Sequence, residues 1–219
     1  MKYFFLKTTL ALSVLFATSL KLKGQTYAYF EVSQLYSNLS FTNSAGVKDN
    51  NYGFLPGNAY EFGAQHIFKT GLILGGGIFQ HSGGALLNLD NLSSAWNFQY
   101  LGLRGSVGYT YNKWRVRPMV LVSPYVSNLV SATLNLDGSL LNAKSPAHIL
   151  STDYGMIFTG GGAMILSDFI SVYATANYQA GLANISGDGG QKAYNQNFYF
   201  SLGITATITK NAAQWIQGK

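Results

Sequence analysis

Apolar and small or polar residues alternate along "NFYFSLGITATITK" (197–210), near the end of the chain. Phe198, Phe200, Leu202, Ile204, Ala206 and Ile208 fall on one face, and Tyr199, Ser201, Gly203, Thr205, Thr207 and Thr209 on the other, the period-two pattern of a β-strand. In "AYEFGAQHIFK", Tyr60, Phe62, Ala64 and Phe68 share a face opposite Glu61, Gly63, Gln65 and Lys69, and in "WRVRPMVLV", Val116, Val120 and Val122 oppose Arg115, Arg117, Met119 and Leu121. The pattern predicts eight strands, at about 27–40, 59–69, 71–82, 96–110, 114–126, 153–166, 169–182 and 197–209. Periodicity leaves two solutions open: in a water-soluble barrel the Phe and Leu face is the core, whereas in a membrane barrel it meets lipid.

Strand length and connections favour the membrane. Most of these strands reach ten residues, against about five or six in soluble proteins and about 9–11 for a tilted strand crossing a bilayer. Connections alternate between tight ("KTG" at 69–71, "YNKW" at 111–114, "LSDF" at 166–169) and long (about 41–58, 83–95, 127–152 and 183–196). That sorting is expected of an all-β, eight-stranded antiparallel up-and-down transmembrane β-barrel, with both chain ends on the tight-turn, periplasmic side. Aromatic residues gather at the strand ends: Tyr27, Tyr29, Phe68, Tyr109, Trp114 and Phe169 toward the turns, and Tyr60, Phe62, Tyr125, Tyr154, Tyr178 and Phe198 toward the long loops. These are read as two interfacial girdles.

Composition agrees. Only 10% of residues are charged and 15% are aromatic, where a soluble domain carries about 25% charge. Lys2 and Lys7 followed by "TTLALSVLFATSL" are built like a secretory signal. The expected division is a signal peptide over 1–24, cleaved between Ser19 and Gly24 and preferably after Gly24, a barrel over 25–210 and a short periplasmic tail over 211–219. Four lysines leave with the signal, so 10 Lys and Arg face 8 Asp and Glu in the mature chain, and the basic balance is no argument for nucleic acid. No cysteine is present to form a disulfide.

The segments "KWRVRPMVLVSPYV" (113–126), a turn and a Pro-containing strand, and "GGGAMILSDFISVYATANY" (160–178), a Gly-rich strand, tight turn and Tyr-bearing strand, resemble those of the small eight-stranded outer-membrane barrels. The similarity is to OmpA-domain, OmpX-like and especially PorT-like barrels of Gram-negative bacteria. It implies residence in outer-membrane lipid and delivery by the barrel insertion machinery. Departing from that pattern, "NAAQWIQGK" follows the last strand, where such barrels commonly end on an aromatic residue. Pro118 and Pro124 each remove a ladder donor, so a bulge is expected in the fifth strand.

Eight strands leave a lumen that side chains fill. Glu31, Glu61, Arg104, Arg115 and Arg117 are its expected charges, joined by Gln65, Asn177 and Gln179, with Arg104 and Arg117 inward and at least one paired with Glu31 or Glu61 because unpaired buried charge is costly. His66 breaks the alternation of the second strand and is read as neutral near the interface or as marking a bulge. Catalytic patterns are thin. His81 and Ser82 are adjacent and so point to opposite faces, His148 has no identifiable partner, and neither Gly75–Gly77 nor Gly160–Gly162 precedes a helix that would make a phosphate loop. No enzymatic activity, cofactor or metal is expected. "ALLNLDNL" (85–92) and "ATLNLDGSLL" (132–141) share "LNLD"; through Leu87, Leu89, Leu134 and Leu136 these loops either cap the barrel, extend its strands, or offer a patch to a surface or secreted protein partner. The expected role is a non-enzymatic scaffold or surface-interaction protein; the alternatives are a narrow channel for small hydrophobic solutes and a PorT-like accessory factor in protein export.

Overall fold

The computed structural model describes residues 24–49, 51–89, 92–111, 113–136, 139–142 and 149–208. The signal segment up to residue 23, the tail over 211–219 and His148 lie outside the described residues. Eight long strands, β1 (Gly24–Thr42), β4 (Leu55–Phe68), β5 (Leu72–Leu89), β6 (Leu92–Thr110), β7 (Val116–Leu136), β9 (Thr152–Ile165), β10 (Ile170–Gly181) and β11 (Lys192–Thr207), form one antiparallel sheet. Three short strands accompany them: β2 (Lys48–Asp49), β3 (Tyr52–Gly53) and β8 (Ser139–Asn142). Each long strand pairs with its neighbour in the chain, and β11 returns to pair with β1 from Tyr27↔Thr207 to Thr42↔Lys192, closing the barrel. Closure leaves no edge from which the membrane-spanning wall can unzip.

The inside is the polar face. On β11, Tyr199, Ser201 and Thr205 are buried while Phe198, Phe200, Leu202 and Ile204 are exposed, so the large apolar side chains point outward, where lipid replaces water. The tight turns form as expected. Gly71 takes φ +95°, favoured by its missing Cβ, and its N–H donates to the Phe68 carbonyl at 2.9 Å. The Ser167 hydroxyl accepts from the N–H groups of Phe169 and Ile170.

Outward polar residues mark the upper limit of the apolar belt. Gln34 pairs in register with Asn58, Asn58 with Ser82, Ser82 with Gln99, and Asn128 with Thr152. The strands continue above this ring. The β5–β6 hairpin climbs from Ser82 and Gln99 to the Leu89↔Leu92 pair, about 23 Å at ~3.3 Å per residue. β7 also rises beyond Asn128 and turns back as β8, which pairs Thr133↔Asn142 to Leu136↔Ser139. Much of the expected loops 83–95 and 127–152 is therefore strand.

A bulge occurs in β7, but beyond the expected fifth strand (114–126) and away from its prolines. Tyr100 pairs with Leu129 and Gln99 with Ser131, so Val130 is the extra residue. Pro118 and Pro124 keep the register, opposite Gly162 and Met156.

Candidate functional site

The lumen is stacked in layers. At the turn end is a cavity of about 50 Å³, lined among others by Tyr27, Gln65, Thr110, Arg117, Ser171 and Thr205. Above it Tyr29, Ile73, Met119 and Tyr173 pack together.

Next comes the ionic layer. Glu31 and Glu61 are 4% and 6% exposed and face each other directly across the β1–β4 ladder, an arrangement of like charges that repels unless a cation intervenes. Arg104 of β6 supplies it, with Nε 2.7 Å from Glu61 Oε1 and an outer guanidinium nitrogen 3.9 Å from Glu31 Oε2. Tyr29 donates its hydroxyl hydrogen bond to Glu61, while Tyr173 lies against Glu31 and Tyr199 against Arg104. Glycines make the space. A Cβ on Gly77 would stand 2.6 Å from both Glu61 Oε1 and the Tyr29 hydroxyl, and one on Gly203 would stand 2.1 Å from the Tyr173 ring. Beside the triad a hydrogen-bonded ladder crosses four strands: Thr159 donates to Asn177 at 2.6 Å, Asn177 donates to Ser201 at 2.9 Å, and Ser201 meets Ser33 at 2.8 Å.

Leu35, Phe79, Tyr125, Ile157 and Tyr199 close the lumen above the triad. A second polar layer centred on Asp153 follows, and then an apolar core at the long-hairpin end, which includes Leu39, Phe98, Tyr100, Leu129, Ile149 and Ile185, with Trp96 and Leu134 packed against it. Two of the loop readings thus operate together, because the hairpins extend the strands and also cap the barrel. Leu87 is half-buried opposite Tyr52 of β3, Leu136 is exposed, and Leu89 closes the hairpin ladder.

Several expected residues change place. Arg104 and Arg117 both line the lumen; Arg104 pairs with both glutamates, where a pair with one was expected, and Arg117 is half-buried at the lower cavity beside Tyr27. Arg115 is not in the lumen: it precedes β7 and is exposed, with its Nε toward the Ile165 carbonyl at 3.5 Å. Tyr29 and Tyr125 are not girdle residues; they share the inward parity of Glu31 and Met119, and Tyr125 donates to Asp153 at 2.9 Å. Phe62 points outward but sits mid-strand between Phe30 and Ile78, away from the loop-side interface. Tyr60, Tyr109, Trp114, Tyr154, Tyr178 and Phe198 are exposed outward, and Phe68 and Phe169 partly so. His66 meets Thr26 Oγ1 at 2.9 Å through Nδ1 and Phe68 edge-on. His81 is buried inward, stacked on Phe79.

Sequence reasoning missed Asp153, together with Asn195 and Asn197, all fully or almost fully buried. The available signal was parity: Asp153 shares the inward face of β9 with Ile157 and Thr159.

This architecture is that of an eight-stranded outer-membrane β-barrel. Among solved structures, Neisserial surface protein A matches with a TM-score of 0.52 at 12% identity over 84% of this chain and 97% of that one. OprG from Pseudomonas aeruginosa matches with a TM-score of 0.48 at 11% identity, over 86% of this chain and 98% of that one. Ail, the attachment invasion locus protein of Yersinia pestis, gives 0.46 at 12% identity, over 85% and 100%. No family model and no curated protein matches the sequence.

Proposed function

We propose that the chain is an integral protein of a Gram-negative outer membrane, with both termini periplasmic, acting through its extracellular hairpins as a non-enzymatic surface-interaction protein. One observation carries this reading: packed side chains occupy the lumen in successive layers, while the β5–β6 and β7–β8 hairpins rise beyond the apolar belt. A filled eight-stranded lumen offers solutes little passage, and rigid walls fix the roots of the projecting elements, so recognition falls to the projections.

The test replaces residues 86–95 with Asn-Gly, a two-residue turn suited to joining the paired Ala85 and Trp96. The shortened protein should still run faster on gels unboiled than boiled, and should lose the crosslinks that the full-length protein makes to surface or secreted proteins on intact cells. Both forms should pass no ion current above the lipid baseline in planar bilayers. Steady conductance, or uptake of small hydrophobic solutes into liposomes, would replace this reading with a narrow channel. Crosslinks to export machinery on the periplasmic side, retained after shortening, would favour the accessory role.

A further inference from the structure

The second polar layer, at the upper end of the lumen, contains a carboxylate that no described basic side chain pairs with. Asp153 is 0% exposed. Its Oδ2 accepts from the Tyr125 hydroxyl at 2.9 Å and from the Asn195 amide at 3.0 Å. Among the described residues its Oδ1 has no hydrogen-bond partner, and no described basic side chain forms an ion pair with Asp153.

Other oxygens in the layer are also orphaned. Ser127 Oγ, the Tyr100 hydroxyl and Asn197 Oδ1 are buried without a partner among the described residues. Ser127 lies directly across the β7–β9 ladder from Asp153, Tyr100 lies beside Asn195, and Asn197 is the next inward residue on β11 after Asn195. The remaining orphan, the Gln179 amide nitrogen, belongs to the register partner of Asn197; turned over about its last bond, that amide presents an oxygen. Apolar side chains seal the layer from both sides, Leu39, Phe98 and Leu129 above and Leu35, Phe79 and Ile157 below. An ionised carboxylate in such a place needs a proton or a cation.

We propose that this layer binds a hard monovalent cation of the sodium class, with Asp153 Oδ1 as the charged ligand and the oxygens of Ser127, Asn197 and Tyr100 as neutral ligands. The donors are all oxygen, which excludes soft metals. A single carboxylate balances one positive charge, whereas a divalent ion would leave a net charge in the sealed layer.

The test follows thermal loss of the folded, fast-migrating band in detergent, with sodium chloride replaced by choline chloride at constant ionic strength. Sodium at about 100 times its dissociation constant should raise the midpoint by roughly 5–10 °C. In Asp153→Asn, which removes the charge and keeps the shape, this dependence should disappear. Should that variant fail to fold, Ser127→Ala keeps the carboxylate and should move the response to higher sodium. Crystals soaked in thallium should show an anomalous peak beside Asp153 Oδ1. Equal midpoints in sodium and choline, stabilisation by calcium without sodium, or density for ordered water only would each overturn the proposal.

Discussion

Arg104→Met should destabilise the barrel far more than Glu61→Gln, although both break the same 2.7 Å contact. Removing Arg104 leaves Glu31 and Glu61, at 4% and 6% exposure, opposed across one ladder with no other described cation within ion-pair distance. Breaking a buried pair in this way costs about 3–5 kcal/mol, because the stranded charge keeps its desolvation penalty. Removing the Glu61 charge has the opposite effect on the balance. One carboxylate then faces one guanidinium, the cross-strand repulsion disappears, and Tyr29 can still donate to the amide oxygen, so the loss should be about 1–2 kcal/mol. Arg104→Met combined with Glu31→Gln and Glu61→Gln leaves no charge to strand and should cost no more than about 2 kcal/mol. The measurement is the urea midpoint of the folded gel band in detergent micelles, approached from both the folded and unfolded sides. Glu61→Gln at least as damaging as Arg104→Met, or a triple variant equal to the sum of the singles, would refute the account of two carboxylates held by one arginine.

The remaining predictions use the same midpoint. Gly77→Ala should cost about 1–3 kcal/mol because its Cβ would meet Glu61 and Tyr29, whereas Gly160→Ala, with no atom within 4 Å of a Cβ, should be within about 0.5 kcal/mol of the parent; equal effects would contradict the inward packing. Leu202→Arg, at a position 65% exposed on the apolar belt, should cost about 2–4 kcal/mol in lipid, and a neutral outcome would mean that this face does not meet the bilayer core.

The barrel was legible because its signals are local. Alternation sorts the residues onto two faces, and strand length with the sorting of short and long connections chooses which face meets lipid; none of these depends on a distant contact. Pairing needed three-dimensional proximity, yet the Arg104 partner set was short because few charges occupy inward positions. The errors came from weighing residue type over parity. Tyr29 and Tyr125 were grouped with girdle aromatics although period two sets them with Glu31 and Met119. Arg115 shares the parity of Arg117, but it lies before β7, where the turn sets its direction. Asp153 is the first residue of the expected strand 153–166, and its inward parity on β9 buries a carboxylate that was not counted among the lumen charges.

The long hairpins were hidden for a different reason, visible in β6. Below the membrane surface Leu101, Leu103, Val107 and Tyr109 point outward, toward lipid. Above it the apolar residues Trp96, Phe98 and Tyr100 point inward, while Asn97 and Gln99 face out. The break falls between Tyr100 and Leu101, adjacent residues that are apolar on opposite faces, because the solvent outside the wall changes there from lipid to water. β7 makes the same exchange between Val126, outward, and Leu129, inward, and Val130 is bulged just beyond. A reading that expects one phase per strand ends each strand at this break and assigns the rest to loop. Followed through the break, the same alternation describes a membrane barrel continuous with a water-soluble one. Its apolar core is the cap over the lumen, so the surface at the long-hairpin end is carried on a folded wall and the lumen below is closed by the packing that builds it.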